Sequence, residues 1–218
     1  MTPAEQSRRA ADICALAPVV PVLVVDDVSR AAGLAKALVA GGLPALEVTL
    51  RTPSALDVIR AMAEVPGGVV GAGTLLTPAD VKAAKAAGAK FGVSPGATDR
   101  IIGACEDEGL PLLPGAVTAT EVMTLLEKGF TVQKFFPAET SGGAAALKAI
   151  GAPIPQVRFC PTGGIGMKNV ADYLGQKTIL CVGGSWVAPA SAVANGDWSA
   201  IEALAREAAA LPRAAFPA

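Results

Sequence analysis

The residue in this sequence best suited to chemistry is a lysine inside an apolar run. Lys134 lies within Thr131-Val132-Gln133-Lys134-Phe135-Phe136-Pro137-Ala138-Glu139, a short stretch ended by proline that reads as a strand. An ammonium there must snorkel, find a partner or lose its proton, because burial disfavours the charged form. As a neutral amine in an apolar pocket it is a nucleophile toward carbonyl carbon, which is the entry to Schiff-base chemistry. The competing reading is a strand-end lysine with its ammonium in solvent.

Three further strand ends offer what such an amine needs: Glu47-Val48-Thr49-Leu50-Arg51, Gly71-Ala72-Gly73-Thr74 and Pro161-Thr162-Gly163-Gly164. Side chains alternate along a strand, so Glu47, Thr49 and Arg51 share one face, as do Val132, Lys134 and Phe136. If those faces point inward from opposed strands, Glu47 and Lys134 approach each other, and the carboxylate can shuttle protons while the amine makes and breaks carbon–nitrogen bonds. Arg51 lies about 13 Å further along its strand, where a planar guanidinium suits bidentate capture of a carboxylate. A structural ion pair or an outward-facing charge is the alternative for Glu47 and Arg51. Gly163-Gly164 and Gly183-Gly184-Ser185 end two late strands, and exposed backbone N–H groups at such positions hold phosphate. A phosphorylated substrate would follow.

Composition narrows the field. The chain has 218 residues, no histidine and a net charge of −1. Without histidine there is no imidazole base, no Ser-His-Asp triad and no histidine-bound zinc, so proton transfer falls to carboxylate, lysine, tyrosine or thiol. Cys14, Cys105, Cys160 and Cys181 are far apart with no C-x-x-C, which argues against a thiolate metal cluster. Cys160 and Cys181 read as buried core thiols. No basic footprint marks a nucleic-acid partner, and no apolar run is long enough for a membrane span. The N-terminus is charged before any apolar run, unlike a secretory signal, so a cytoplasmic protein with free thiols is expected.

The elements that must hold these groups are eight short apolar runs, at 19–25, 45–50, 68–73, 90–94, 111–114, 131–136, 157–161 and 178–183. They recur about every 20 to 26 residues with Ala-rich helical segments between them, the length of one strand plus one helix. Segment 29–40 stops at Gly41-Gly42, Thr77-Pro78 opens a helix, and Thr118-Ala119-Thr120-Glu121 has the form of a capping box. Several strands are apolar on both faces, as parallel strands under helices are. The expectation is an α/β chain forming one domain over residues 1–218, a single (β/α)8 TIM barrel with an extra N-terminal helix at 3–17. A doubly wound open sheet is the rival. The tail from 211 to 218 reads as poorly ordered.

Taken together, Leu46-Glu47-Val48-Thr49-Leu50-Arg51-Thr52, Gly71-Ala72-Gly73-Thr74, Ser94-Pro95-Gly96, Lys134-Phe135-Phe136-Pro137-Ala138-Glu139 and Arg158-Phe159-Cys160-Pro161-Thr162-Gly163-Gly164 closely resemble the class I aldolases of 2-keto-3-deoxy-6-phosphogluconate (KDPG) and 4-hydroxy-2-oxoglutarate. The resemblance covers essentially the whole chain. It implies a homotrimer of (β/α)8 barrels that needs no metal or other cofactor, acting in the Entner–Doudoroff pathway. Lys134 would form the Schiff base and Glu47 would be the general acid/base. Arg51 and Thr74 would hold the pyruvyl carboxylate, with Pro95 and Phe136 shaping the pocket. Gly163, Gly164, Gly184 and Ser185 would take the phosphate, and Thr162 would set specificity. Its implied reaction is the reversible cleavage of a phosphorylated keto acid to pyruvate and glyceraldehyde 3-phosphate. The rivals are a Mg²⁺-dependent aldolase or phosphosugar isomerase using Glu47 and Glu139, and a non-catalytic barrel that binds phosphorylated metabolites.

Overall fold

A computed structural model describes residues 1–214. Helix α1 (Pro3–Ala15) precedes β1 (Val19–Leu23), and strands and helices then alternate: α2 (Ala31–Ala40), β2 (Ala45–Thr49), α3 (Ala55–Ala63), β3 (Val69–Gly73), α4 (Pro78–Ala86), β4 (Phe91–Val93) and α5 (Asp99–Glu108). Then follow β5 (Leu112–Leu113), β6 (Gly115–Ala116), α6 (Ala119–Glu127), β7 (Val132–Phe135), α7 (Gly143–Gly151), β8 (Arg158–Pro161), α8 (Val170–Leu174), β9 (Val182–Gly184), α9 (Ala190–Asn195) and α10 (Trp198–Ala209).

Every strand pairing is parallel. Six strands run in the order β5-β4-β3-β2-β1-β9 and three in the order β6-β7-β8. Single bridges join Phe159 to Ile179 and Thr162 to Gly183, linking β8 with the β9 segment. The fold is thus α/β, a curled parallel sheet with helices on its outer side. Where the sequence predicts one fifth strand at 111–114, the structure has two short ones, because Pro114 lacks the N–H that an uninterrupted ladder needs. The last strand is shorter than its predicted 178–183 span.

Local chemistry explains the helix boundaries. Thr118 and Glu121 form the predicted capping box, Glu121 accepting from the Thr118 N–H at 2.9 Å. Thr77 caps α4 in the same way through Asp80, with Pro78 at the first helical position. Each such cap contributes about 1 kcal/mol. Gly41 stops α2 and also lets α10 approach, since a Cβ there would lie 2.4 Å from Ala205 Cβ.

Two apolar clusters form the core. The larger, with Leu34, Leu46, Val48, Phe135 and Tyr173, lies between sheet and helices. The smaller lines the inner face and holds Val20, Ala45, Phe91, Val93, Leu113, Val132, Cys160 and Cys181, together with Cys14 of α1. Ser7 of α1 fixes that helix to the sheet, its hydroxyl accepting from Thr131 N and Val132 N at 2.9 and 3.0 Å. The predicted free tail needs correction over 211–214. Arg213 donates to Ala15 O and Leu180 O, and Ala214 N to Leu174 O. The rest of that predicted tail, 215–218, lies outside the described residues. No helix among the described residues is long and apolar enough to cross a membrane.

Candidate active site

Lys134 is held by β7, whose register places it opposite Gly115 on one side and Cys160 on the other, with its N–H donating to Pro114 O at 2.8 Å. The side chain is 6% exposed, and its Nζ donates to Glu47 Oε1 at 3.2 Å. Glu47 is 2% exposed on β2, opposite Val22 and Gly71. The approach expected from alternation on facing strands is therefore met. Of the three fates open to a buried ammonium, this one has found a partner. The Phe136 ring lies 5.3 Å from Nζ and gives the cation a second contact.

The glycines of β3 make this pairing sterically possible. A Cβ on Gly73 would sit 2.3 Å from Glu47 Oε1, and one on Gly71 would sit 2.4 Å from the Phe91 ring. Glu47 thus lies across bare backbone, with Phe91 packed beside it. Burial raises the Glu47 carboxyl above its ordinary value, opposed by the Lys134 charge and hydrogen bond. Thr49, one turn of the strand pleat beyond, is buried and donates to Leu23 O at 3.0 Å.

Around this pair the predicted site residues form a graded rim. Thr162 is buried with no hydrogen-bond partner for its Oγ1 among the described residues, and its hydroxyl fills the space beside Gly183. Thr74, Pro95, Phe136 and Gly163 are half-buried, and Arg51, Gly164 and Ser185 are exposed. Gly184 is buried, and a Cβ there would strike the Trp186 ring. Arg51 has no ion-pair partner among the described residues, so its charge is free for an incoming anion. Thr74 has φ +63°, a strained conformation for a β-branched residue. Backbone N–H groups of Gly164, Ile165, Ser185 and Trp186 meet no acceptor among the described residues, while that of Gly163 faces Gly183 across the bridge to β9. Four such amides at two adjoining strand ends make a donor surface for an anion.

Glu139 is not part of the buried pair. Its carboxylate accepts from the Tyr173 hydroxyl, whose proton is held tightly because burial and this carboxylate both raise Tyr173. Among the described residues, no group of three or more His, Cys, Asp or Glu could hold a metal ion. Cys160 and Cys181 are buried as expected. Cys14 joins them, and its contact with Cys160, reinforced by burial, holds its thiol well above the usual value. The sequence carried no signal for that meeting, because Cys14 belongs to a helix outside the repeating pattern. Tyr173 and Asn169 were also missed, since neither stands in a strand-end motif.

A family model described as KDPG and KHG aldolase matches residues 10–204. The chain belongs to that family. Its members include the KHG/KDPG aldolase of Escherichia coli K12, 52% identical over 200 residues, which cover 91% of this chain and 94% of that protein. Among solved family structures, the 2-keto-3-deoxy-6-phosphogluconate aldolase of Zymomonas mobilis ZM4 with 3-phosphoglycerate superposes with a TM-score of 0.92 at 50% identity, over 97% of this chain and all of that one. The Legionella pneumophila KDPG aldolase, with pyruvate captured as a covalent carbinolamine, gives a TM-score of 0.88 at 43% identity over 92% of this chain and 98% of its own.

Proposed function

We infer that this protein is a Schiff-base aldolase that reversibly cleaves 2-dehydro-3-deoxy-6-phosphogluconate to pyruvate and glyceraldehyde 3-phosphate, and also accepts 4-hydroxy-2-oxoglutarate. The observation that carries this reading is the buried Lys134–Glu47 pair, 3.2 Å apart. Family membership and the relatives' names support the same reading.

The pair can exchange one proton internally, which converts a buried ion pair into a neutral amine and a carboxylic acid. The amine adds to the C2 ketone to give a carbinolamine, and loss of water leaves an iminium whose positive charge again sits beside Glu47. The returning cation favours the carboxylate, so Glu47 becomes a base at the moment one is needed. It takes the C4 hydroxyl proton, directly or through a water. The C3–C4 bond then breaks, its electrons entering the iminium to form an enamine, and the aldehyde leaves. Proton return to C3 and hydrolysis release pyruvate and regenerate Lys134. Arg51 and Thr74 are assigned to the pyruvyl carboxylate, Pro95 and Phe136 to the pocket wall, and Thr162 to the hydroxylated chain. Gly163, Gly164, Gly184 and Ser185 are assigned to the phosphate.

Within the same proposal the chain is one domain over residues 1–218, a closed (β/α)8 barrel assembled as a cytoplasmic homotrimer that uses no metal. The bridges between β8 and the β9 segment, and the single-residue gap between β5 and β6, support closure. The decisive experiment is intact mass and peptide mapping after incubation with pyruvate and sodium borohydride. A reduced pyruvyl adduct on Lys134 is expected. No adduct, or one spread over surface lysines, would return the chain to the metal-dependent or binding readings.

A further inference from the structure

The turn that follows β8 is held open from behind. Thr162 O accepts from Ala138 N at 2.8 Å, Gly163 O from Glu139 N at 3.1 Å, and Gly164 O from Asn169 Nδ2 at 3.2 Å. In a trans peptide the carbonyl of one residue and the N–H of the next point in opposite directions. Each anchored carbonyl therefore turns one amide away from its anchor, namely those of Gly163, Gly164 and Ile165. That of Gly163 faces Gly183 across the bridge to β9, and those of Gly164 and Ile165 meet no acceptor among the described residues. The row ends at Gly166, whose N–H donates to Asn169 Oδ1 at 2.9 Å. Gly163 and Gly164, with φ of +108° and +76°, are the residues able to follow this path.

Glu139 supplies more than a backbone donor. Its Cβ and Cγ occupy the space under Gly164, 2.8 and 2.7 Å from where a Cβ on that glycine would be. Its carboxylate accepts from the hydroxyl of Tyr173, a fully buried side chain seated on α8. A cleft of about 570 Å³, bordered by Glu139, Gly143, Lys148, Asn169 and Tyr173, lies behind the turn. Beyond the backbone of Pro137 and Ala138 under Gly163, the Glu139–Tyr173 strut and Asn169 are what back the Gly164 end of the turn.

We propose that Glu139 and Tyr173 are positioning residues that set the preference for a phosphorylated substrate over an unphosphorylated one, by bracing the 162–166 turn with its amides presented to the anion. This rests on the aldolase reading, and it deepens it. Phosphate recognition becomes a matter of backbone geometry that two side chains remote from the reacting amine maintain. Neither takes part in the bond-breaking steps, so their loss should leave the chemistry at Lys134 intact.

The test uses the full chain with Tyr173→Phe, Glu139→Gln and Glu139→Ala. Affinity for glycerol 3-phosphate is measured by calorimetry, and steady-state kinetics are run on both aldol substrates. Glu139→Ala and Tyr173→Phe should weaken glycerol 3-phosphate binding, and raise KM for the phosphorylated substrate, by about tenfold, the worth of one charge-assisted contact. Glu139→Gln keeps the methylenes and an acceptor for Tyr173, so it should rescue most of that loss. Catalytic efficiency on 4-hydroxy-2-oxoglutarate and borohydride trapping of pyruvate should not change. Unchanged glycerol 3-phosphate affinity in both Glu139→Ala and Tyr173→Phe would overturn the proposal, as would a parallel loss on both substrates and in trapping. Wild-type protein that binds glycerol 3-phosphate but traps no pyruvate would sink the aldolase reading while leaving the braced turn standing.

Discussion

The inner face of the sheet has two halves built on opposite principles. Its lower half is dry and apolar, with Val20, Phe91, Val132, Cys160 and Cys181 closed off by Cys14 of α1. Its upper half holds a buried ion pair, an unpartnered hydroxyl, a strained threonine, an unpaired guanidinium and free amides. The buried ion pair, the unpartnered hydroxyl and the strained threonine each cost folding free energy. The same strands supply both, often a residue or two apart, as Val132 and Lys134 do. The costly groups thus stand at one end of the strands, and the apolar packing at the other end offsets them.

That contrast can be broken by substitution, beginning where turnover should suffer most. Lys134→Met should lower turnover by about 10⁵-fold or more and abolish the borohydride adduct, as removing a nucleophile does. Methionine fills the space without adding charge, so the fold should persist, and appreciable residual activity would remove Lys134 from the mechanism. Glu47→Gln should still form the pyruvate adduct but lose about 10²–10⁴ in turnover, since an amide accepts no proton. Turnover equal to wild type would reassign Glu47 to structure. Gly73→Ala would push Glu47 aside without changing its chemistry. A displacement of that size should cost about 10²-fold in kcat/KM, and an unaffected rate would show that Glu47 has room to move. In the lower half the expectation inverts. Leu113→Ala should cost about 2–5 kcal/mol of stability in thermal or denaturant unfolding, while the folded fraction keeps its kcat. A large fall in kcat would mean that the two halves are not separable.

The smallest effect is on the pH dependence of stability. Burial keeps Glu47 protonated to higher pH in the folded chain than in the unfolded one. Its contribution is complete below the unfolded value and is lost as pH rises through the folded value. Wild-type stability should therefore decline across the window above the ordinary glutamate value of 4.5, and this slope should vanish in Glu47→Gln. Denaturant melts at stepped pH read it, and equal slopes would place Glu47 in a more solvated setting.

The upper half was legible in the sequence because its groups are anomalies of type. A lysine and a glutamate inside apolar strands, read with period two, are brought together by the strand order alone. Glycine pairs at strand ends were equally visible. The braces behind them were not. Tyr173 is a buried residue of α8 and Asn169 precedes that helix, and only the path of the 162–166 turn gives their polar groups a task. Thr74 was visible as a residue, but its positive φ was not. The tether of Arg213 was lost for a different reason, since it depends on Ala15 and Leu180, both distant in sequence. Cys14 is the clearest case, because an N-terminal helix outside the strand–helix rhythm offers no register from which to place it.

That helix has a practical consequence. With Cys14 on its inner side and Cys160 and Cys181 on the sheet, α1 works as a stopper whose seating can be clocked chemically. While it is in place all three thiols are buried, and a thiol reagent finds nothing there to modify. When it lifts, Ser7 releases the start of β7 and the three sulfurs come within reach together. The rate of their modification, compared with the rate of global unfolding, would report how often the floor opens. Chains trimmed of residues 1–15 would then carry an oxidisable, apolar opening opposite the catalytic end, and their poor handling would say nothing about the chemistry.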